Sequence, residues 1–353
     1  MAIAFGAAMI YSATLRGEPV VRWWDDLVFK QLAFAAAGIV LLVVLSLTEL
    51  RALAVLAPWI YGATILSLVL VLAVGETTFG SVRSFVVGPV TFQPSELCKL
   101  AMILVLAAYF ERFDLRKGRH VLGSLALVAL PMALVLSQPD LSTALLLGAI
   151  WAGMAFVAGL RLPHVALLAL LAPPLLFVML RAEILETYQM LRILAWRDPA
   201  IDPGGIGYQN LHTLIAVGSG GLSGIGFARG LQSQGGWLPL MHTDNIYAIV
   251  AEELGFIGGA LLLLLLGFIV LRVLRAARAS GERLSALVCV GVAVYLLAQV
   301  TVNVGVVLQL LPVTGVSLPF VSYGGSSLVT ALGGIGLVQA ALLRRRTLAF
   351  GRD

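Results

Sequence analysis

The sequence predicts an all-α integral membrane protein, a polytopic bundle of about ten transmembrane helices with a large loop at 181–243. Three observations predict it. Of 353 residues, 60% are hydrophobic and 12% charged, where a soluble domain carries about 25% charge. The mean hydropathy of +1.01 makes the bilayer the main solvent. The apolar residues also gather in runs near the roughly 20 residues that a helix needs to cross hydrocarbon. An ordinary soluble enzyme, a nucleic-acid-binding module and a disordered chain are all excluded. The net charge of +5 comes from basic residues scattered along the chain, not gathered on a soluble domain as a nucleic-acid footprint would be.

Ten runs fit such spans: 1–15, 27–47, 52–74, 95–110, 121–137, 142–160, 163–180, 245–271, 284–311 and 326–343. The first is short and has no basic leader, so it reads as a span that a few more N-terminal residues would complete, not as a signal peptide. Residues 1–353 together read as a single polytopic membrane domain. Cys98 and Cys289 both lie inside apolar runs and say nothing about redox compartment. No HExxH or CxxC spacing occurs, so no metal-ligand motif is present and the identity of any metal stays open.

Orientation follows from the loops that hold Arg and Lys. Arg51, Arg112, Arg116, Lys117, Arg119, Arg161, Arg272, Arg275, Arg278, Arg283, Arg344, Arg345, Arg346 and Arg352 share one side, 14 of the 23 basic residues. That side is expected to be cytoplasmic, with both termini inside. The long irregular segments, 75–94 and above all 181–243, then fall outside. Within the second, Glu183 to Trp196 places Ile184, Leu185, Tyr188, Leu191, Ile193 and Leu194 around polar positions. This pattern predicts an amphipathic helix in the outer interface, with Tyr188 and Trp196 at headgroup depth.

Polar residues inside spans are costly, about 2.5–3.5 kcal/mol each at a helix centre. Here they cluster at the outer ends. Gln93-Pro94-Ser95-Glu96 with Lys99 opens the fourth span, and Arg83 lies just upstream. Glu96 and Lys99 can pair at i, i+3, which is also what a capped helix with a local ion pair would show. Gln138-Pro139-Asp140 leads into Ser142 and Thr143, where Asp140 alone reads as an N-cap. The stretch 218–226 has five glycines but no following Lys-Ser/Thr, so turns or close backbone packing are expected, not a nucleotide loop. His242-Thr243-Asp244 stands at the entrance of the eighth span, with Glu252 and Glu253 two turns further on. One or both of these must face a bundle interior. Ser322-Tyr323-Gly324-Gly325-Ser326-Ser327 opens the tenth span and presents backbone N–H groups to an anion. Each motif has a capping explanation, but their shared location points to one water-accessible cavity opening outward.

Taken together, these motifs resemble the SEDS family (shape, elongation, division and sporulation), whose members include RodA and FtsW. The resemblance runs over nearly the whole chain. It is carried by Gln93-Pro94-Ser95-Glu96, Gln138-Pro139-Asp140-Leu141, Leu238-Pro239 with His242-Thr243-Asp244, Ala251-Glu252-Glu253-Leu254-Gly255-Phe256, and the run from Pro319 to Ser327. Leu311-Pro312-Val313-Thr314-Gly315 and Leu231-Gln232-Ser233-Gln234 are closer to the RodA branch. Asn245 departs from the commoner His-Thr-Asp-Phe, and Ser142 from a frequent glycine.

The resemblance implies a peptidoglycan glycosyltransferase of the bacterial cytoplasmic membrane that polymerises lipid II outside the cell. Its partners would be lipid II, the growing glycan strand, membrane lipids and a class B penicillin-binding transpeptidase. Asp244 would be the catalytic carboxylate. Arg83, Glu96 and Lys99 match family positions, and Asp140, Arg192, Arg197, His242, Ser322, Tyr323 and Ser326 are further candidate substrate contacts. No organic cofactor is implied, and a divalent cation (Mg²⁺ or Mn²⁺) would engage pyrophosphate. One base suffices, because the donor's pyrophosphate leaves without a general acid if cations stabilise it. The rivals are a lipid II flippase, a division-specific FtsW-type polymerase and a non-catalytic scaffold. Transport predicts balanced inner and outer gates and an internal repeat, and the sequence has neither.

Overall fold

The computed structural model describes residues 1–15, 26–78, 81–87, 90–161 and 187–350, with isolated positions between 163 and 170. For 76–78, 81–83, 86–87, 90, 187–188 and 344–350 only the backbone path is described. The chain starts with α1 (Ala2–Thr14), α2 (Leu27–Leu47) and α3 (Leu50–Val74). A small antiparallel meander follows, β1 (Glu76–Thr78), β2 (Ser81–Val87) and β3 (Val90–Phe92), with Phe85 opposite Phe92 and Val87 opposite Val90. Then come α4 (Pro94–Arg112), α5 (Gly118–Ser137) and α6 (Leu141–Val157). The shorter α7 (Thr187–Arg197), α8 (Ile206–Ser219) and α9 (Leu231–Gln234) precede α10 (Ile246–Ala279), α11 (Arg283–Val307) and α12 (Gly325–Phe350).

Among the described residues, α2, α3, α5, α10, α11 and the Gly325–Leu343 part of α12 are long and apolar enough to cross a membrane. The apolar helices α1 and α6 are shorter. The fourth expected span, α4, carries Glu96, Lys99 and Glu111 and is enclosed by α3, α6 and α11. The seventh, expected at 163–180, lies almost wholly outside the described residues. The protein is an all-helical polytopic membrane protein apart from the meander, which forms where an irregular loop was expected. Thr77, Thr78, Val82, Val86, Val87, Val90 and Thr91 supply the β-branched side chains that favour paired strands.

Small residues allow the closest helix crossing. Gly38 of α2 faces Leu332 of α12, and a Cβ on Gly336 would stand 2.7 Å from the Leu42 carbonyl oxygen. Two bulkier residues could not cross here, and small residues commonly mark close contacts between membrane helices. Of the six long apolar helices α11 and α12 are the most enclosed, whereas α2 and α3 expose most of their surface, as lipid-facing helices do.

The two ends of the bundle differ. At one end the connections are short and rich in arginine, tied by the Arg51–Glu282 ion pair (3.2 Å) and by Arg283 donating to the Ala158 carbonyl. The meander, α7 to α9 and the 308–324 segment occupy the other, loop-rich end. Within the stretch Glu183 to Trp196, where an amphipathic helix was expected, α7 starts at Thr187; residues 181–186 and the Tyr188 side chain lie outside the described residues. Trp196 donates its indole N–H to the Gln309 carbonyl at 2.9 Å, docking α7 on the 308–316 stretch.

One span is not continuous. Gly255 in α10 has φ 68° and ψ −168°, which no helix accommodates, so α10 is two helices that meet at a kink. The backbone groups freed by the break are taken up by the glycine-rich loop. Ile225 and Gly226 N–H donate to the Glu252 and Glu253 carbonyls, while Phe256 and Ile257 N–H donate to Gly221 and Leu222. A Cβ on Gly220 or Gly224 would overlap the α10 backbone. Close backbone packing, one of the two expectations for 218–226, is therefore what these glycines provide.

Candidate active site

The start of α4 provides the first charges. Pro94 opens the helix, and Glu96 in its first turn meets the positive end of the helix dipole. Lys99, one turn on, is 1% exposed. Its Nζ lies 2.7 Å from Glu96 Oε1 and 5.2 Å from the centre of the Tyr295 ring on α11. A buried ammonium is tolerable when a carboxylate and an aromatic face replace its water. Glu96 Oε2 is buried without a hydrogen-bond partner, an arrangement that invites a ligand.

Asp140 caps α6, accepting from Thr143 N–H (3.1 Å) and Thr143 Oγ1 (2.8 Å). The capping reading of this residue holds, yet Asp140 and Thr143 also line the cavity described next.

A cavity of about 430 Å³ at the loop-rich end brings these elements together. Glu96, Lys99, Asp140, Arg192, Asp244, Tyr323 and Ser326 all line it. Arg192 reaches in from α7 and lies 3.4 Å from the Thr314 carbonyl oxygen. Gly315, with φ 75°, closes the wall beside Asp244: a Cβ there would stand 3.4 Å from Asp244 Oδ2. Ser326 accepts from Gln93 N–H at 3.0 Å, holding the start of α12 against the entry to α4.

Other candidates fall elsewhere. Arg197 is exposed at the end of α7 and does not line the cavity. His242 stands behind the wall, its ring edge-on to Tyr323 at 5.7 Å, and its carbonyl accepts from Tyr323 N–H. Burial pushes the His242 imidazole below its usual range, favouring the neutral ring, and pushes the Tyr323 phenol up. Ser322 is buried, accepts from Leu318 N–H and shapes the turn. Arg83 belongs to β2, but its side chain lies outside the described residues.

Sequence reasoning missed Gln299 and Asn303 on α11. Gln299 donates to Ser327 (3.2 Å) and Ser317 (3.4 Å), both cavity residues. Asn303 holds the Asp244 carbonyl. The signal was available, since two amides four residues apart inside an apolar run mark one polar helix face. Among the described residues no cluster of three or more His, Cys, Asp or Glu could hold a metal ion by itself.

The arrangement can hold an anionic group between Lys99 and Arg192 while Asp244 accepts a proton from a neighbouring hydroxyl. Comparison with known proteins identifies the family. Residues 1–347 match the model of the FtsW/RodA/SpoVE family, described as "Cell cycle protein". The chain is 36% identical over 352 residues to the peptidoglycan glycosyltransferase MrdB of Escherichia coli K12, covering 98% of this chain and 92% of that protein. Its fold matches a chain solved in work on "Structural coordination of polymerization and crosslinking by a peptidoglycan synthase complex", with a TM-score of 0.81, 35% identity and coverage of 98% and 95%. It also matches the crystal structure of the rod shape determining protein RodA of Thermus thermophilus, with a TM-score of 0.70, 34% identity and coverage of 98% and 93%. A multi-pass protein of the bacterial cell membrane, the chain belongs to the FtsW/RodA/SpoVE (SEDS) family and is a peptidoglycan glycosyltransferase.

Proposed function

We propose that the cavity polymerises lipid II at the outer face of the cytoplasmic membrane, with Asp244 as catalytic base. The observation that carries this reading is the convergence of Asp244, the Glu96–Lys99 pair and Arg192 on one cavity from separate segments of the chain. Lipid II places sugars in water, pyrophosphate at the headgroups and a polyprenyl tail in lipid, so a cavity at the end of a helix bundle meets all three. Asp244 takes the proton of the acceptor hydroxyl as its oxygen attacks the donor's anomeric carbon. The new glycosidic bond forms as the bond to polyprenyl pyrophosphate breaks, inverting the centre. Lys99 and Arg192 offset the charge on the leaving group.

A divalent cation, Mg²⁺ or Mn²⁺, would add charge neutralisation at the pyrophosphate. The donor set fits a cation that arrives largely on the substrate, since Mg²⁺ is commonly held by one or two carboxylates plus phosphates. Thr143 already engages both oxygens of Asp140, while the unpartnered Oε2 of Glu96 is the carboxylate oxygen placed to meet it, and Asp244 lines the same cavity.

Our topology has the loop-rich end outside and both termini in the cytoplasm, following the arginines at the opposite end. A role in elongation and cell shape rests on the Leu311–Gly315 and Leu231–Gln234 runs. The partner we propose is a class B penicillin-binding transpeptidase, in line with the synthase complex of the structural relative. Polymerisation of purified lipid II in detergent, by unmutated protein and by Asp244→Ala, tests the proposal. Detergent removes sidedness, so a flippase or scaffold yields no glycan from either protein. Product from both removes Asp244 from the base role.

A further inference from the structure

Asn303 is 1% exposed near the end of an apolar helix, where an amide is costly unless its donors find acceptors. Its Nδ2 meets two backbone carbonyls, that of Asp244 at 2.8 Å and that of Val316 at 2.7 Å. These carbonyls belong to different segments. One ends the turns that lead into α10; the other lies in the irregular stretch between α11 and α12. The same two segments meet again at the cavity wall, where Gly315 stands against the Asp244 carboxylate. A single side chain therefore ties the backbone of the carboxylate to the backbone of the wall it faces. Few residue types could do this, because a hydroxyl has one proton to donate and an ionised carboxylate has none.

Resting on the assignment of Asp244 as the base, we infer that Asn303 is a positioning residue for glycosyl transfer, fixing where the Asp244 carboxylate stands relative to the Gly315–Val316 wall. Asn303 does not itself line the cavity, whereas Lys99 and Arg192 do. Loss of the clamp therefore displaces the base and leaves the substrate-holding charges in place. Displacements near 1 Å can cost about 100-fold in rate, so the signature is a fall in kcat at nearly constant KM.

The test is steady-state polymerisation of lipid II by the full chain in detergent, with the thermal unfolding midpoint recorded for each variant. Asn303→Asp keeps the shape and removes both amide donors; Asn303→Thr keeps a single donor. The clamp predicts kcat lower by about 10–100-fold for Asn303→Asp and about 3–10-fold for Asn303→Thr, with KM within about threefold of the unmutated value. Unchanged kcat in folded Asn303→Asp overturns the inference, as does a rise in KM that accounts for the lost efficiency. If Asn303→Asp does not stay monodisperse, Asn303→Thr decides by the same criterion. Asp244→Ala is run alongside. If it polymerises, the base assignment falls and the clamp with it; if it is inactive beside fully active Asn303 variants, only the clamp falls.

Discussion

Two groups of carboxylates sit in the loop-rich half of the bundle, and in the sequence they look alike. Glu96 and Asp244 stand at span entrances, and Glu252 and Glu253 lie two turns into α10. Their surroundings differ. Glu252 accepts from Gln232 N–H (2.6 Å) and Ser233 N–H (3.0 Å). Glu253 accepts from Ala228 N–H at 3.0 Å and from the hydroxyls of Ser12 and Ser233. Every oxygen of this pair is occupied, and neither residue is exposed. Glu96 keeps one oxygen unpartnered, and both it and Asp244 line a cavity. Buried carboxylates filled by backbone donors hold a loop in place; Glu96 and Asp244 instead face a space that a substrate can enter. Access to the cavity, more than depth in the fold or charge, separates the two groups.

Several substitutions would break or sharpen that contrast. Asp244→Ala should lower kcat for lipid II polymerisation by about 100- to 10,000-fold, the usual range for a lost general base, with the unfolding midpoint unchanged. A folded variant retaining more than a tenth of the rate would place Asp244 with the structural group. Glu252→Ala should behave in the opposite way. Two loop N–H groups lose their acceptor at about 1–3 kcal/mol each, so the midpoint drops while the molecules still folded turn over nearly normally. Inactive but fully stable protein would move Glu252 into the catalytic group.

Lys99→Met leaves Glu96 buried without its cation and the pyrophosphate without a counter-charge. Activity should fall about 10–100-fold, and full activity would reduce the pair to a structural feature of the helix start. Gly255→Ala comes next: its φ of 68° and the Gly224 nitrogen 2.3 Å from the new Cβ predict a loss of about 1–3 kcal/mol, read as a lower unfolding midpoint.

The smallest effect concerns His242. Burial holds its imidazole below the usual value of about 6.5, so the unfolded chain takes up a proton before the folded one does. Stability should therefore be complete above that value and decline as pH falls below it, by about 1–2 °C in midpoint. His242→Gln should remove that part of the decline; an identical pH dependence in both proteins would contradict it.

Much of the fold and part of the site are legible in the amino-acid order. Apolar runs mark the long helices that the described residues contain, and the i, i+3 spacing of Glu96 and Lys99 anticipates a pair that forms at 2.7 Å. Asp140 reads as a cap and is one. Arg197 cannot be told from Arg192 by sequence, because which arginine faces the cavity depends on how α7 docks through Trp196 and the 308–316 stretch. The break in α10 is hidden within one expected span, since Gly255 needs its left-handed φ only where the 220–226 loop packs against it. The meander escapes a reading by periodicity because its strands are brief and lie between spans.

What the sequence determined by itself is local. A chain in hydrocarbon must satisfy each backbone polar group within its own segment, so apolar runs of sufficient length become helices whatever surrounds them, and residues a turn apart meet. The tertiary structure decided which carboxylates face a cavity and which are filled. That depends on donors supplied from afar: Ser12 for Glu253, 241 positions away, and Asn303 for the Asp244 carbonyl, 59 away. Only packing brings such partners together, because a buried charge is judged by its neighbours in space.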